Sequence, residues 1–527
     1  MTAGLTNPDS SRFPLSFWRI FPLVFALIFL LHAPLLRLPF FWDEAGFYVP
    51  AAHDLAQFHS LIPRTTLDTG HPPLSAAYLA LWFTLSGWKP AVARVAMLLL
   101  AAFGLTNLFL LARRLTRTGV AVATTIATAV YPIFFVQSSL THADIAAAAF
   151  TLWGVRLYLE RRIWPAQFAF ALAVLSKETA IITPFAVVLW ELLPSRAEPV
   201  RKRLLRAATS LLPAGALAAW LLYHHHATGR FLGGADFYQY NVANVLSVQR
   251  FLQAFKVRIW HLFGTLGMLA LTVAAAVAMI FRPVNDSSGE RPRIDIRVQL
   301  LFALIMLVNL IAFSVVGGAL LTRYLLSAYP LVILIGMSTL HRRIARWEWP
   351  VALIVIFFVL GLFFDPPYHI APEDNLRYRD FVQLHYHAAQ FLQQHEQGKT
   401  VLSAWPATDE LARPYLGYVR QQLPMVSIHD FSVEELVKAQ QMRSQYQVVY
   451  VFSTKYETEP PPPRMDEWEK LHARFFDYHR DVQPDVAAEF LHAKMVYLER
   501  SHAEWVAIME LEQPPAVATV ADPRAKH

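Results

Sequence analysis

The sequence predicts a polytopic α-helical membrane protein with a soluble α/β domain at its C-terminal end. Hydrophobic residues make up 55% of the 527 residues and charged residues only 16%, whereas soluble domains average about 25% charged residues. Long apolar runs follow one another up to Phe364, and no later run is long enough to span a bilayer. The charge balance also changes sign near this point, which indicates two bodies of different character.

The net charge separates the chain into two parts. Residues 1–364 contain 30 Lys and Arg against 15 Asp and Glu, a balance of +15. Residues 365–527 contain 16 against 24, a balance of −8, so the two parts account for the overall +7. Basic residues of the first part concentrate in short loops between apolar runs, which is typical of the cytoplasmic side of a membrane. The positive charge therefore indicates orientation and does not favour a nucleic-acid partner.

Twelve apolar runs occupy the first part, and the loop charges decide how they cross. If all twelve crossed, the basic loop at residues 113–117 would lie outside, against the positive-inside rule. The run 72–87 is short and follows His71, so we predict a re-entrant or interfacial segment within an outer loop over residues 40–90. The prediction is about eleven transmembrane helices, with the N-terminus inside and the first run a span, not a cleaved signal. The runs lie at 15–37, 72–87, 91–112, 119–137, 143–160, 164–177, 178–194, 204–223, 257–281, 298–317, 321–340 and 349–364.

After Phe364 the pattern predicts a small α/β domain over residues 365–512. Short apolar segments there are typical of buried strands, and amphipathic segments between them predict helices. The prolines at 460–463 predict a stiff connector, and residues 513–527 predict a disordered tail. The predicted strands lie at 399–404, 446–452 and 505–511, and the predicted helices at 433–443 and 485–496.

Ionisable residues at the ends of the spans gather on one face of this topology. The orientation rests on cytoplasmic arginines alone, yet the other ionisable residues all fall on the outer side. Charges at this depth are costly to bury, so their convergence indicates a functional site on the outer face. The candidates are Asp43, Glu44, His71, His142, Asp144, Lys177, Glu178, Arg323 and Tyr324.

Each candidate also has a purely structural interpretation. Asp144 suits the N-terminus of the helix that follows it, and Arg323 suits the anchoring of a span at the interface. Lys177 and Glu178 are neighbours that could simply pair with each other. His71 precedes two prolines and could belong to a turn.

The set of carboxylates and cations fits sugar transfer to a hydroxyl. Such transfer needs a carboxylate to take the acceptor proton. Cations would stabilise a phosphate leaving group as its negative charge grows. A polyprenyl phosphate would place its phosphate at the interface, where Lys177 and Arg323 are expected. With no cysteine in the chain, thiol nucleophiles and disulfides are excluded. The residues permit this chemistry without requiring it.

Five short segments, in order along the chain, resemble the GT-C glycosyltransferases, in particular the bacterial branch with the protein O-mannosyltransferases and the lipid A aminoarabinose transferases. Trp42-Asp43-Glu44 is similar to the first outer loop of this family, and Thr141-His142-Ala143-Asp144 to its second acidic loop. Gly70-His71-Pro72-Pro73-Leu74 resembles a Lys-Pro-Pro-Leu segment, with histidine in place of lysine. Ser176-Lys177-Glu178 resembles a Ser/Thr-Lys-Gly segment, with glutamate in place of glycine. Arg323-Tyr324, followed by Pro330, is similar to an Arg-Tyr-hydrophobic-Pro stretch.

The resemblance covers about residues 15–340 and implies an inverting hexosyl or pentosyl transferase that uses a polyprenyl-phosphate sugar. It implies that Asp43 is the general base or its partner, with Glu44 beside it, and that Asp144 is a second acidic catalytic group. Some members of the family use a divalent metal and others do not, so the metal requirement stays open. The implied donor-phosphate ligands are Lys177, Arg323, His71 and Tyr324, with His142 and Glu178 as further site candidates.

Two other classes of function are alternatives to an enzyme. A transporter or flippase of lipid-linked sugars would favour polar residues at mid-span or paired broken helices, whereas here they lie at one face. A scaffold would need neither this many spans nor the ionisable cluster. We therefore expect a multi-pass protein of the inner (plasma) membrane, with its C-terminal domain extracytoplasmic. Its expected partners are a polyprenyl-phosphate-linked donor, membrane lipids and an outer-face acceptor, which is a lipid, glycan or protein hydroxyl.

Overall fold

The computed structural model describes residues 16–194, 198–234, 247–287, 289–316, 318–455, 469–470, 473–474 and 478–512. The chain divides into two compact units. The helical unit comprises the described residues up to Val382, together with 469–470 and 473–474. The C-terminal unit comprises the other described residues from Gln383 onward. The predicted connector at 460–463 and the predicted tail at 513–527 lie outside the described residues.

The apolar runs of the helical unit form helices, several of which are broken into two pieces. Val248–Phe263 and the helical stretch that follows, Thr265–Ala278, are bent by 41°. A two-residue break separates Val200–Thr209 from Leu212–Thr228. The other α-helices of this unit are Phe17–His32, Val49–Phe58, Leu74–Ser86, Pro90–Leu115, Thr118–Val130, Pro132–Gln137, Ala143–Leu159, Ile163–Ser176, Ile182–Leu192, Ile296–Val315, Tyr329–Arg343 and Glu348–Phe363.

Only some of these helices meet the length and composition of a complete membrane span. In the part of the chain that the structure describes, four do so, and a fifth is added if the bent pair is one span. Several further helices are apolar but shorter, Thr118–Val130 and Glu348–Phe363 among them. The predicted number of about eleven spans is therefore not confirmed, although the helical unit has the character of a multi-pass membrane protein. The four long helices are Phe17–Leu35, Pro90–Leu115, Val200–Thr228 and Ile296–Val315.

Small residues allow three central helices to pack closely. Ala143–Leu159 lies against both Pro90–Leu115 and Ile163–Ser176. A Cβ atom added to Gly154 would lie 2.5 Å from a facing phenylalanine ring. Small residues at such contacts are what lets membrane helices approach and associate. This packing fixes the position of the helix whose first turn carries Asp144.

The outer loop after the first helix contains a π-helix, Glu44–Tyr48, and the helix Val49–Phe58. It ends in the helix Leu74–Ser86, which lies in the run 72–87. This helix has 13 residues and rises about 20 Å, less than the roughly 30 Å of a hydrocarbon core. The re-entrant course of this segment stays a prediction.

The C-terminal unit contains a five-stranded mixed sheet of β3 (Val401–Ala404), β4 (Met425–Ile428), β5 (Val448–Phe452), β6 (Ala493–Ser501) and β7 (Glu504–Leu511). The strand order is β4-β3-β5-β7-β6. β3 pairs parallel with β4 and β5, whereas β7 pairs antiparallel with β5 and β6. The predicted α/β character of this part is thus seen in the structure. A separate two-stranded hairpin of β1 (Asn285–Asp286) and β2 (Gly289–Glu290) lies in the helical unit.

Two sequence predictions for this part differ from the structure. The helix predicted over 485–496 is wrong after Phe490, because β6 begins at Ala493. β6 is mostly half-exposed, and its pairing with β7 decides its conformation. The division between the units falls after Val382, so residues 365–382 group with the helical unit. The remaining helices are Arg377–His395, Ala407–Ala412, Val433–Gln441 and Pro484–Phe490.

Candidate functional site

The two neighbouring acids of the outer loop have different surroundings. Glu44 is fully buried and forms an ion pair with Arg94, which is also fully buried. Its carboxylate also accepts hydrogen bonds from the backbone N–H groups of Phe41 at 2.8 Å and Thr141 at 2.6 Å. Arg94 in turn donates to two backbone carbonyls. Glu44 therefore ties the loop to the helices and fixes the backbone next to Asp43.

Arg323 is the centre of a buried charge cluster on the helical unit. Its guanidinium forms an ion pair with Asp43 and lies 3.2 Å from Glu373 (Nη1 to Oε2). Its Nε lies 3.9 Å from Oδ2 of Asp144. The side chain is only 4% exposed. The residue is located in a 3₁₀ turn, Thr322–Leu325, and not at the start of a helix as the sequence predicted.

Lys177 supplies the second cation of this cluster. Its ammonium group donates to Oδ1 of Asp144 at 2.7 Å and lies 4.6 Å from the ring centroid of Tyr324. Oδ2 of Asp144 and Nε of Arg323 are both buried and have no hydrogen-bond partner among the described residues. These two atoms face each other across a gap too wide for a hydrogen bond. The cluster therefore keeps donor and acceptor capacity for a ligand.

A cavity of about 320 Å³ opens directly on these groups. We call it the cation cavity, because both Lys177 and Arg323 line it together with Asp144 and Tyr324. Its other walls include small apolar residues such as Ala148 and polar residues such as Asn309. An anionic group placed here would meet two buried cations, and burial strengthens electrostatic attraction.

His71 and Glu178 are brought together although 107 residues separate them in sequence. The imidazole Nδ1 lies 2.8 Å from Oε2 of Glu178. The ring of Tyr48 stacks on that of His71 with a centroid distance of 6.0 Å and an interplanar angle of 3°. His71 lines a second cavity, of about 530 Å³, which Tyr48 also lines. Neither Lys177 nor Arg323 lines that cavity.

His142 is fully buried between Tyr48 and Arg323. Its ring nitrogens lie 2.9 and 3.1 Å from Nη1 of Arg323, and its Nδ1 lies 2.8 Å from Oε1 of Gln137. Its ring centroid is 5.6 Å from that of Tyr48. His142 is therefore placed between the Tyr48 side of the site and the charge cluster.

Glu373 is the principal site residue that sequence reasoning missed. It lies in the turn Pro372–Asp374, in a stretch that the sequence assigned to the soluble domain. The carboxylate of Asp374 accepts hydrogen bonds from the Thr322 hydroxyl and from the backbone N–H of Ala371, which holds this turn against the turn of Arg323. No local sequence pattern indicates that Glu373 contacts Arg323, because the two positions are 50 residues apart.

Burial changes the protonation of both acids in this turn. It raises the pKa of Glu373 to about 8, although the nearby guanidinium of Arg323 acts in the opposite direction. Burial also raises the pKa of Asp374 to about 6, opposed by its hydrogen bond from Thr322. One oxygen of Glu373, Oε1, has no hydrogen-bond partner among the described residues. The cluster around Arg323 thus contains a carboxyl group that readily carries a proton.

The donor set does not resemble a metal site. No group of three or more His, Cys, Asp or Glu side chains that could hold a metal ion is present in the described ranges. The carboxylates of the cluster instead face the cations Arg323 and Lys177.

The helical unit and its buried charge cluster define a multi-pass membrane protein. Residues 70–224 match the family model described as dolichyl-phosphate-mannose-protein mannosyltransferase. The structure is similar to the crystal structure of ArnT from Cupriavidus metallidurans in the apo state, with a TM-score of 0.54 and 15% sequence identity over 93% of this chain and 97% of that one. These findings confirm the predicted resemblance to the GT-C superfamily and support a membrane glycosyltransferase.

A second solved structure also aligns with the chain. This is the archaeal oligosaccharyltransferase AglB from Archaeoglobus fulgidus in complex with an inhibitory peptide and a dolichol-phosphate. It has a TM-score of 0.41 and 11% identity, and the alignment covers 82% of this chain and 69% of that one. No curated protein matches the chain.

Proposed function

We propose that this protein transfers a sugar from a polyprenyl phosphate to a hydroxyl group of an acceptor at the outer face of the inner membrane. The observation that carries this proposal is the cation cavity, in which Lys177 and Arg323 lie next to Asp144 in buried surroundings. The family description, with its dolichyl-phosphate mannose donor, supports this class of donor.

The reaction requires one bond to break and one to form at the anomeric carbon. The acceptor oxygen attacks this carbon from the face opposite the phosphate, and the bond from carbon to phosphate oxygen breaks with its electron pair. Polyprenyl phosphate leaves with one more negative charge, which Lys177 and Arg323 stabilise. Asp43 takes the proton of the acceptor hydroxyl. The anomeric configuration is inverted, because the displacement is direct.

The ion pairs of the cluster give each acid a defined part in this scheme. Asp144 orients the ammonium of Lys177 through a 2.7 Å contact. Burial raises the pKa of Glu373 to about 8, which favours its neutral form at pH 7 and so reduces negative charge beside the phosphate. Glu44 does not touch the cation cavity; its four contacts hold the segment that presents Asp43.

The test is transfer by the full chain reconstituted in nanodiscs with radiolabelled dolichyl-phosphate mannose and a panel of other polyprenyl-phosphate sugars. We expect D43N to abolish transfer with little change in donor KM, and R323K to raise donor KM. E160Q is the matched control, because Glu160 forms only an i,i+4 pair at a distance from the cluster. Transfer at the wild-type rate by D43N and R323K would contradict the assignment.

The proposed membrane orientation places eleven spans across the bilayer, with the C-terminal unit outside. Since the chain has no cysteine, single introduced cysteines report sidedness without background. We expect R420C to react with an impermeant maleimide from outside in intact cells, and R114C to react only after permeabilisation. Both side chains are exposed. The reverse pattern would contradict the orientation.

A further inference from the structure

The cation cavity is also lined by polar side chains that carry no charge. Besides its charged groups, the lining includes four aliphatic hydroxyls and one carboxamide, which we call the neutral wall. The scheme of the proposed function uses none of them. The hydroxyl residues are Thr151, Thr179, Thr183 and Ser327, and the carboxamide belongs to Asn309.

Two hydroxyls of the neutral wall differ from other buried threonine hydroxyls of the helical unit. Thr106 and Thr125 donate to the carbonyl oxygen four residues earlier, at 2.7 and 2.8 Å, as hydroxyls within helices commonly do. Thr151 and Thr183 are each 2% exposed, yet their hydroxyls make no hydrogen bond with any described residue. A buried hydroxyl without a partner costs stability. These two hydroxyls therefore keep donor and acceptor capacity for a ligand of the cavity.

Asn309 adds an acceptor to the neutral wall. Its Nδ2 donates to the carbonyl oxygen of Ile305 at 2.8 Å, which fixes the orientation of the amide. Within the described ranges, no group donates to its Oδ1. The side chain is buried, so Oδ1 is available to a hydroxyl that enters the cavity.

The neutral wall adjoins the charged groups along two chain segments. Thr151 lies two helical turns beyond Asp144 and on the same face of Ala143–Leu159. Thr183 follows Lys177 by six residues, in the first turn of Ile182–Leu192. The wall therefore extends about 10 Å from the charged groups along the helix axis. A group attached to a phosphate at the cations would contact it.

We propose that the neutral wall binds the sugar of the donor, and that this sugar is uncharged. The inference rests on the proposed function, which places the donor phosphate against the two cations of the cavity. The threonine hydroxyls of the wall both donate and accept, as sugar hydroxyls do, and Oδ1 of Asn309 accepts.

The charges of the cavity favour a neutral sugar over an amino sugar or a uronic acid. In the described part of the chain, no charged side chain other than Asp144, Lys177 and Arg323 lines the cavity. Asp144 is already paired with Lys177. An ammonium or carboxylate group on the sugar would be desolvated against the neutral wall without a counter-charge, which is costly. The structure thus favours a neutral hexose or pentose.

The first experiment measures binding without any transfer reaction. The ligands are citronellyl phosphonates in which CH₂ replaces the oxygen between sugar and phosphorus, so that no sugar can leave. They carry mannose, glucose, galactose, arabinose or aminoarabinose, and sugar-free citronellyl phosphate is the reference. Each ligand is titrated calorimetrically into the full chain in nanodiscs.

We expect T151V/T183V to weaken the binding of one or more neutral-sugar ligands about tenfold, through the loss of two hydrogen bonds. Binding of citronellyl phosphate should not change, because it has no sugar. Unchanged binding of all four neutral sugars, or an equal loss for the sugar-free reference, would overturn the proposal. A loss confined to aminoarabinose would also overturn it.

T106V is the matched control. It makes the same change at a buried threonine that does not line the cavity, so it should bind every ligand like the wild type. Since Thr151 and Thr183 have no hydroxyl partner among the described residues, T151V/T183V should resist SDS unfolding at least as well as T106V. Earlier unfolding of T151V/T183V would show that these hydroxyls serve the fold and would contradict the proposal.

The second experiment pairs each threonine with a sugar hydroxyl. Monodeoxy versions of the best-binding neutral ligand are titrated into the wild type, T151V and T183V. A deoxy ligand that lacks the partner of Thr151 should bind the wild type and T151V equally, because the contact is already absent. Additive losses in every pairing would overturn the proposal.

The transfer assay separates this inference from the proposed function. If no polyprenyl-phosphate sugar supports transfer while the binding differences hold, the proposed function fails and the sugar-binding wall stands. If transfer proceeds and T151V/T183V has the donor KM of the wild type, the proposed function stands and the sugar-binding wall fails.

Discussion

The buried pair of Glu44 and Arg94 gives a prediction that separates structural from catalytic roles in the outer loop. Both side chains are fully inaccessible to solvent. Oε2 of Glu44 accepts from the N–H of Phe41 at 2.8 Å and from Arg94 Nη2 at 2.9 Å, and Oε1 accepts from Thr141 and from Arg94 Nη1. The variant E44Q keeps the shape of this side chain and removes its charge.

The expected cost follows from these contacts. In E44Q, the amide NH₂ replaces one carboxylate oxygen and faces two donors, so two hydrogen bonds are lost whichever way the amide is turned. The buried guanidinium of Arg94 also loses the carboxylate with which it forms an ion pair. Breaking a buried ion pair by changing one partner costs about 3–5 kcal/mol. The double variant E44L/R94L should lose less, because it leaves no unpaired charge.

The assay is unfolding of the full chain by SDS in mixed micelles, followed by tryptophan fluorescence. E160Q is the control: it removes a half-exposed i,i+4 partner of Arg156 at 3.5 Å, which should cost about 0.2–0.5 kcal/mol. Unfolding of E44Q at the same SDS fraction as E160Q would refute the reasoning. Loss of transfer in E44Q with unchanged stability would instead make Glu44 a catalytic residue in its own right.

Three further predictions concern the charge cluster and the outer loop. K177M should raise donor KM about tenfold or more in the transfer assay, because Lys177 is one of two cations lining the cation cavity. K177R should retain part of the donor affinity. Equal donor KM values for K177M and the wild type would contradict this prediction. Burial raises the pKa of Glu373 from 4.5 to about 8, so the folded chain keeps a proton that the unfolded chain loses within this window, and stability should fall as pH rises across it. SDS unfolding of E373Q should show a flatter pH profile, and profiles of equal slope would oppose the assignment. Gly70 has a φ of +69°, and an added Cβ would lie 2.4 Å from the backbone nitrogen of Gly233. G70A should therefore speed proteolysis of the outer loop. G87A is the control, because a Cβ added to Gly87 meets nothing within 4 Å.

Several features of the site could be predicted from the residues because the signal is local. Charged residues at the ends of apolar runs are expensive in lipid, so Asp43, Asp144, Lys177 and Arg323 stand out in the sequence. The structure brings these four into one contiguous cluster. Their common side of the membrane was predicted from loop arginines, which carry an independent physical signal.

Other features could not be predicted because they depend on contacts between distant segments. The pairing of Glu44 with Arg94 depends on how the helices pack around the outer loop. The place of Glu373 beside Arg323 depends on a turn that follows the last apolar helix and folds back on the helical unit. The strand β6 was predicted in part as helix, since its conformation is set by its neighbour in the sheet.

The sequence by itself determined the membrane character of the chain, its division into a basic helical part and an acidic part, and the set of ionisable residues available for chemistry. These follow from transfer free energies of side chains, which are properties of each residue alone. Only the tertiary structure decided which acid meets which cation and that His71 lines a cavity different from that of Lys177 and Arg323. Which charged residues pair depends on distances of a few ångströms between segments that are far apart in sequence. Those distances are set only when the helices pack together.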